Sequence, residues 1–347
     1  MSKKGKIKEL YKLYLSRMLN KPFVKPITVT LTLTSKCNLR CVMCDHWKLK
    51  NNEELNLEEI KNLIDQIAEW GVEEIELSGG EPFMRKDVWE IISYASSKNV
   101  GMNITTNGTL LTKECVERLL NSKVNRLQIS LDGIRGIQDE IRGVKGAYKK
   151  VMRTVRFINS MRKRKKSSIR INATTVVMQK NLPELVRLVR LTKKAGFDSI
   201  TFQPVNDNNL TISKKKSFNP LRVKDLQELD QQIDKIVELR KKDDYIGNPV
   251  SYLKSIKDYF RDEKLKKVKC YAGFVGAIIT TQGRLWSCMG DFGGLKKESI
   301  QKVWHSKEAK KIRSLIKKCE NPCLYPCYLS HKGESLAKTT LSILKNG

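Results

Sequence analysis

Residues 28–44 read TVTLTLTSKCNLRCVMC and join an alternating strand pattern directly to three closely spaced cysteines. Cys37, Cys41 and Cys44 have the spacing C-x3-C-x2-C, which differs from the common ferredoxin patterns. Three thiolates in one short loop can hold three irons of a [4Fe–4S] cube and leave the fourth iron without a protein ligand. Such an iron can bind and reduce another molecule, whereas an electron-transfer cluster normally has four protein ligands.

A zinc knuckle or a group of buried thiols is the alternative interpretation of this loop. A structural zinc ion needs four ligands. We interpret His46, two residues after Cys44, as an ordinary loop residue, which leaves no fourth ligand nearby in the sequence. The iron–sulfur interpretation is therefore favoured.

The composition is that of a globular protein with a large excess of basic residues: 40% of the 347 residues are hydrophobic and the formal net charge is +30. The nine cysteines are expected to be metal ligands or buried residues rather than disulfides. No apolar run is long enough to span a membrane and no signal peptide is recognisable, so we expect a cytoplasmic location. The lysines lack interleaved aromatic residues, so binding of nucleic acid is disfavoured.

From residue 28 onward, short β-rich runs alternate with helical patterns, which predicts βα units around a parallel sheet. Strands are predicted over residues 28–34, 73–78, 101–105, 126–131, 169–177 and 199–203. The predicted fold is therefore α/β, a (β/α)6 partial TIM barrel followed by a small C-terminal cysteine-bearing domain. Gln282-Gly283 predicts a hairpin within that second domain.

The chain divides into four predicted segments. Residues 1–27 form a basic helical segment, which we expect to dock onto the main domain, with interfacial membrane contact as the alternative. Residues 28–205 form the barrel, 206–267 a helical connector, and 268–347 the cysteine-bearing domain.

Chemically unusual loops follow four of the predicted strands. They are the cysteine loop, Gly79-Gly80-Glu81-Pro82, Thr106-Asn107-Gly108 and Ser130-Leu131-Asp132-Gly133. Because the carboxyl ends of barrel strands meet at one mouth, we expect these loops to converge there. An ordinary βα turn is the alternative for each loop taken alone.

The cysteine spacing and the Gly-Gly-Glu-Pro run together resemble the radical S-adenosylmethionine (SAM) superfamily. The resemblance implies a cluster whose open iron binds the amino and carboxylate groups of SAM. It also implies reductive cleavage of SAM to a 5′-deoxyadenosyl radical, which abstracts hydrogen from a substrate. An external one-electron donor of the flavodoxin or ferredoxin type would then be a partner.

The resemblance also implies roles for loop residues at the barrel mouth. Gly79, Gly80, Glu81 and Pro82 match the loop that receives the amino group of SAM, and Glu81 could either add charge or brace that loop. Ser130 and Arg142 match contacts to the ribose and the carboxylate of SAM. Thr106 and Asn107 resemble a family loop near the SAM adenosine, Asp132 follows Ser130 in the same loop, and Gln203 is a candidate for cofactor binding by position alone.

Five further cysteines resemble the SPASM/twitch extension, which carries auxiliary iron–sulfur clusters. They are Cys270, Cys288, Cys319, Cys323 and Cys327, and the first two fit the pattern C-x12-G-x4-C. Two full clusters need more cysteines than these five, so we expect one auxiliary [4Fe–4S] cluster held by four of them. A zinc site is the alternative, since four thiolates suit either metal.

The expected function is that of a radical SAM enzyme of the SPASM/twitch branch that modifies a peptide or protein. The alternative within the enzyme class is dehydrogenation or another biosynthetic step on a small molecule. A non-catalytic, basic iron–sulfur or RNA-binding protein is the alternative of another class. The sequence singles out no catalytic acid or base.

Overall fold

The computed structural model describes residues 3–49, 53–206, 219–261, 270–319 and Leu324. Cys323, Cys327 and the end of the predicted connector helix lie outside the described residues.

Nine strands of the described chain form one sheet. They are β1 (Thr28–Thr32), β2 (Glu74–Ser78), β3 (Gly101–Thr106), β4 (Val124–Ser130), β5 (Arg170–Val177), β6 (Ser199–Pro204), β7 (Gly276–Ile279), β8 (Arg284–Ser287) and β9 (Gly290–Gly294). Their order is β6-β5-β4-β3-β2-β1-β7-β8-β9. The pairs from β1 to β6 are parallel, which confirms the six predicted strands.

Helices connect and follow the strands. They are α1 (Lys3–Leu19), α2 (Leu57–Glu69), α3 (Val88–Ser97), α4 (Lys113–Leu120), α5 (Gly136–Arg142), α6 (Ala147–Lys165), α7 (Leu185–Ala195), α8 (Leu226–Lys242), α9 (Val250–Phe260), α10 (Ile300–Trp304) and α11 (Lys307–Lys317). The start of α2 is fixed by a capping box, in which Asn56 Oδ1 accepts from Glu59 N and Glu59 Oε2 accepts from Asn56 N.

The consecutive order of β1 to β6 explains the barrel-like architecture. Right-handed crossovers that always step to the next strand in one direction place every connecting helix on the same face of the sheet. A twisted sheet that is covered on one face curls towards a barrel. The predicted (β/α)6 partial barrel is confirmed.

The two faces of this sheet differ in chemistry. Residues such as Leu31, Ile75 and Leu127 alternate onto the helix-covered face and are fully buried there. The residues that alternate with these along each strand lie on the other face of the sheet, which carries no helices. On that helix-free face the strand register places Thr30 beside Glu76 and Glu76 beside Asn103. A polar surface therefore lies directly below the loops at the strand ends.

The predicted hairpin is confirmed, but it belongs to the barrel sheet. β7 pairs in parallel with β1, from Thr28 beside Gly276 to Leu31 beside Ile279, and β8 then pairs antiparallel with β7. The sequence patterns did not predict β9, because its residues, GDFGG, have low strand propensity. The strand forms through its pairing with β8.

The N-terminal helix docks as predicted. Leu10 and Leu13 are buried, and Arg17 Nε donates to the carbonyl oxygen of Cys270 at 2.9 Å. Asn20 Nδ2 donates to Ser314 Oγ at 2.6 Å. Within the described ranges, no helix is long and apolar enough to cross a membrane.

The packing of α2 gives a direct test of the fold. Ile64 is fully buried against the sheet, so Ile64→Ala is expected to lower the free energy of unfolding by about 2–5 kcal/mol. Glu69→Ala, on the exposed side of the same helix, is the control and should change it by less than about 0.5 kcal/mol. Urea denaturation of the cluster-free protein measures both values, and equal effects would contradict this packing.

Candidate functional site

The cysteine loop, residues 33–45, follows β1 at the carboxyl edge of the sheet. Cys37, Cys41 and Cys44 are all half-buried in it. The loop has little regular structure, so its shape depends on contacts with neighbouring segments. Three such contacts hold it.

The first contact is with the Gly-Gly-Glu-Pro loop after β2. Gly80 N donates to Thr34 O at 2.7 Å, and Glu81 N donates to Lys36 O at 2.8 Å. A Cβ atom on Gly79 would lie 2.5 Å from Thr34 O, and one on Gly80 would lie 2.3 Å from Lys36 O. Both glycines are therefore required because two backbones pack directly against each other.

Glu81 braces this loop against the next one. Its side chain is fully buried and accepts hydrogen bonds from Phe83 N, Thr106 Oγ1 and Asn107 N. Burial raises the pKa of Glu81 to about 7, and these hydrogen bonds oppose the rise. Of the two roles considered for Glu81, the geometry supports bracing.

The second contact runs from the cysteine loop to the turn after β3. Asn107 Nδ2 donates to Asn38 Oδ1 at 2.9 Å, and Asn38 Nδ2 donates to Thr109 Oγ1 at 2.8 Å. Thr109 also donates to Asn107 Oδ1 through its backbone and its hydroxyl. Thr106 and Asn107 thus have structural partners inside the protein, and their contact with SAM stays a prediction.

The third contact is with the C-terminal end of α5. Arg40 N donates to Arg142 O at 3.0 Å, and Val42 N donates to Ile141 O at 2.9 Å. These are carbonyls that an ending helix leaves without partners. Gly143 has φ +67° and a Cβ there would lie 2.3 Å from Arg40 O, so glycine is required for this approach.

Arg142 also brings its side chain to the cysteines. Its Nη1 lies 3.6 Å from Cys41 Sγ, and its Nη2 forms an ion pair with the fully buried Asp132. Burial raises the pKa of Asp132, and the guanidinium opposes that rise. Asp132 Oδ1 is fixed in turn by Val176 N at 2.8 Å. Asp132 and Arg142 are therefore brought together beside Cys41; contact of Arg142 with the carboxylate of SAM stays a prediction.

The cysteine loop fits an iron–sulfur cube better than a single ion. No group of three or more Cys, His, Asp or Glu side chains in the described residues is placed to hold one metal ion. In a cube each thiolate binds a different iron, so the sulfurs need not converge on one point. Burial raises the pKa of Cys37, and that of Cys44 to about 11. A cluster takes its cysteine ligands as thiolates, so its binding here would have to displace the protons of these thiols.

The remaining barrel candidates lie on the helix-free face. Ser130 ends β4 beside Thr174 of β5, and Gln203 is the penultimate residue of β6. Their contact with SAM stays a prediction.

Glu76 is a polar residue of this face that the sequence analysis missed. It is 9% exposed and accepts hydrogen bonds from Thr105 Oγ1 and, at 3.2 Å, from Gln128 Nε2. Burial raises its pKa. The sequence signal that could have identified Glu76 is its carboxylate between the apolar strand residues Ile75 and Leu77. Strand alternation places that side chain on the face opposite the core.

Three of the five later cysteines lie in the described chain. Cys270 precedes β7, Cys288 follows β8 and Cys319 follows α11, and all three are half-buried. Ala272 N donates to Cys270 Sγ at 3.4 Å, a contact that suits a ligating sulfur. That four of the five later cysteines hold one auxiliary cluster stays a prediction.

Two family models match the chain. That of the radical SAM superfamily matches residues 31–191, and that of the iron–sulfur cluster-binding SPASM domain matches residues 270–333. The two domains imply a SAM-binding [4Fe–4S] cluster and auxiliary iron–sulfur binding, as predicted from the cysteines.

Relatives and solved structures agree with these matches. Fe-coproporphyrin III synthase of Methanosarcina barkeri is 30% identical over 250 residues, which are 67% of this chain and 59% of that protein. PqqA peptide cyclase of Bradyrhizobium diazoefficiens is 25% identical over 297 residues, 82% of this chain and 74% of that protein. The chain thus spans less than two thirds of the first relative.

Streptococcus suis SuiB has the same fold, at a TM-score of 0.65 and 18% identity in its complex with SAM, over 86% of this chain and 73% of SuiB. A second SuiB structure, bound to the precursor peptide SuiA, matches with a TM-score of 0.64 and 18% identity over 93% of this chain and 79% of SuiB. Sequence, fold and site geometry lead to the same conclusion: the chain belongs to the radical SAM superfamily, in the branch that carries a SPASM domain.

Proposed function

We propose that this protein is an enzyme that cleaves SAM reductively and abstracts hydrogen from a peptide or protein substrate. One observation carries the proposal: the cysteine loop is fixed on three sides, by backbone hydrogen bonds on two and by the Asn38 side chain on the third, at the edge of a polar sheet face. A site that only transfers electrons has no need of such a surface beside an open iron.

The residues of this chain would position the reactants. Cys37, Cys41 and Cys44 would hold the cluster, and the Arg142 guanidinium beside Cys41 would offset part of its negative charge. A bound cluster and SAM together supply a 5′-deoxyadenosyl radical, the hydrogen-abstracting species of this superfamily. The buried Glu81 and Asp132 keep the surrounding loops rigid, so SAM and substrate meet in a fixed geometry.

The helix-free face favours a peptide substrate. Thr30, Glu76, Thr105 and Gln128 place polar groups on this face. Glu76 already accepts from Thr105 and Gln128, and the remaining hydrogen-bonding capacity of the hydroxyl and amide groups would pair with a peptide backbone. The similarity to PqqA peptide cyclase and to SuiB with the peptide SuiA supports this choice.

A small-molecule substrate is the second candidate, because Fe-coproporphyrin III synthase is among the relatives. A macrocycle of that size needs a broad apolar pocket, and the central residues of the helix-free face are polar. Single-turnover assays with a candidate precursor peptide and with iron coproporphyrin separate the two substrates.

Cleavage of SAM should depend on the cysteine loop. With dithionite and SAM, the reconstituted protein is expected to form 5′-deoxyadenosine, and Cys41→Ala should reduce its yield to background. Cys115→Ala, a cysteine on α4 away from the loop, is the matched control and should retain wild-type yield. Liquid chromatography of the product measures this, and equal yields from wild type and Cys41→Ala would refute the proposal.

The two-glycine contact should control cluster incorporation. Gly80→Ala places a Cβ against backbone atoms of Ser35 and Lys36, so the cysteine loop must shift and less iron should bind. Gly136→Ala is the control, because a Cβ there meets no atom within 4 Å. Iron content per chain is the measurement, and wild-type loading of Gly80→Ala would show that the contact is dispensable.

The brace by Glu81 predicts a pH dependence. Its pKa rises from 4.5 in the unfolded chain to about 7 in the fold, so the folded state binds the proton more tightly. Its contribution to the free energy of unfolding is therefore greatest below pH 4.5 and is lost as the pH rises through about 7. The difference between wild type and Glu81→Gln, from urea denaturation of the cluster-free protein, should fall across this range. A constant difference would be inconsistent with a titrating brace.

A further inference from the structure

Arg313 on α11 is a buried charge that the proposed function does not use. Its side chain is fully buried, although most arginines keep their charge in water. It lies on the apolar stripe of the helix, with Ala309, Ile312 and Ile316 at the neighbouring buried positions. A core arginine at an apolar position destabilises a fold unless another charge compensates it.

The contacts of Arg313 within the described chain do not supply that charge. Its Nε donates to Gly273 O at 2.6 Å, and its Nη2 is buried without a hydrogen-bond partner. The guanidinium carbon lies 4.4 Å from the centre of the Trp304 ring and 5.0 Å from that of Phe292. No ion pair joins it to any described carboxylate, and burial alone lowers its pKa to about 10.

A second buried polar group of the described chain lies close to Gly273. Ser287 Oγ is buried and has no hydrogen-bond partner among the described residues, and Ser287 directly precedes Cys288. A Cβ on Gly273, the residue that accepts from Arg313, would lie 3.4 Å from that hydroxyl oxygen. These two buried polar groups thus lie beside the segment that follows Cys270 and beside the end of β8, which directly precedes Cys288.

The chemistry of these groups matches an iron–sulfur cluster. A cube with thiolate ligands carries net negative charge, and its sulfurs accept hydrogen bonds that tune its potential. We propose that Arg313 supplies the buried positive charge that compensates an auxiliary cluster held from Cys270 and Cys288. Since a fixed positive charge stabilises the more negative, reduced state, Arg313 raises the reduction potential of that cluster. This inference rests on the SPASM domain and on the auxiliary cluster proposed for it, and does not depend on turnover of SAM.

The test measures the auxiliary cluster alone. In a full-length protein with Cys37, Cys41 and Cys44 replaced by alanine, the remaining cluster is titrated by electron paramagnetic resonance. Arg313→Met should shift the midpoint potential of this cluster to a more negative value. Arg313→Lys, which keeps the charge, should leave the potential close to that of the protein with Arg313. Arg284→Met, at an arginine on β8 whose side chain is half exposed, is the control and should leave the potential unchanged.

Stability separates this role from simple packing. In the cluster-free protein Arg313→Met removes an uncompensated buried charge and should leave the unfolding transition unchanged or raise it. An unchanged potential in Arg313→Met, or a loss of stability of the cluster-free protein in both Arg313→Met and Arg313→Lys, would overturn the proposal and identify a packing residue. Absence of iron from the triple-alanine protein would overturn it too, while SAM cleavage by the wild type would leave the proposed function standing.

Discussion

The direct packing of two backbones, that of the cysteine loop and that of the loop after β2, is the constraint on which the site depends. Gly80 N and Glu81 N donate to the carbonyls of Thr34 and Lys36, which are two residues apart, and no side chain fits between the two backbones at Gly79 and Gly80. The cysteine loop is therefore placed largely by main-chain geometry, and the Asn38 side chain adds the contact to the turn after β3. Main-chain contacts hold position more tightly than long side chains, which suits a cluster that must leave one iron exposed.

Buried charges complete this arrangement around the loop. Asp132 forms an ion pair with Arg142, and Arg142 contacts Cys41, so a carboxylate from the loop after β4 orients the guanidinium beside Cys41. Glu81 performs a similar task towards the turn after β3. Each carboxylate is fully buried and hydrogen-bonded, which makes each loop depend on its neighbour. The proposed role of Arg313 would repeat this principle in the C-terminal domain.

Local sequence patterns predicted the parts of the fold that depend on local forces. The alternation of β1 and the hairpin signal at Gln282-Gly283 are visible in the sequence and are present in the structure. The pairing of β1 with β7 was not predictable, because it joins segments far apart in the chain. The same limit applied to Arg313: spacing places it on an apolar helix stripe, but only tertiary packing shows that aromatic rings surround it.

The cysteines and glycines of the site were predictable from the sequence, but the hydrogen bonds that join its loops and strands were not. The spacing of Cys37, Cys41 and Cys44 indicates the metal chemistry, since ligand spacing is local. Asn38 and Glu76 were missed because their roles arise from residues on other strands.

The most direct test of the central claim is whether SAM binds the iron that the cysteine loop leaves open. In a protein whose Cys270 and Cys288 are replaced by alanine, the reduced cluster is examined by electron–nuclear double resonance with SAM labelled at its amino nitrogen and carboxylate oxygen. The account predicts hyperfine coupling from both labels to the cluster. A spectrum that is the same with and without labelled SAM, in a protein with full iron content, would contradict it.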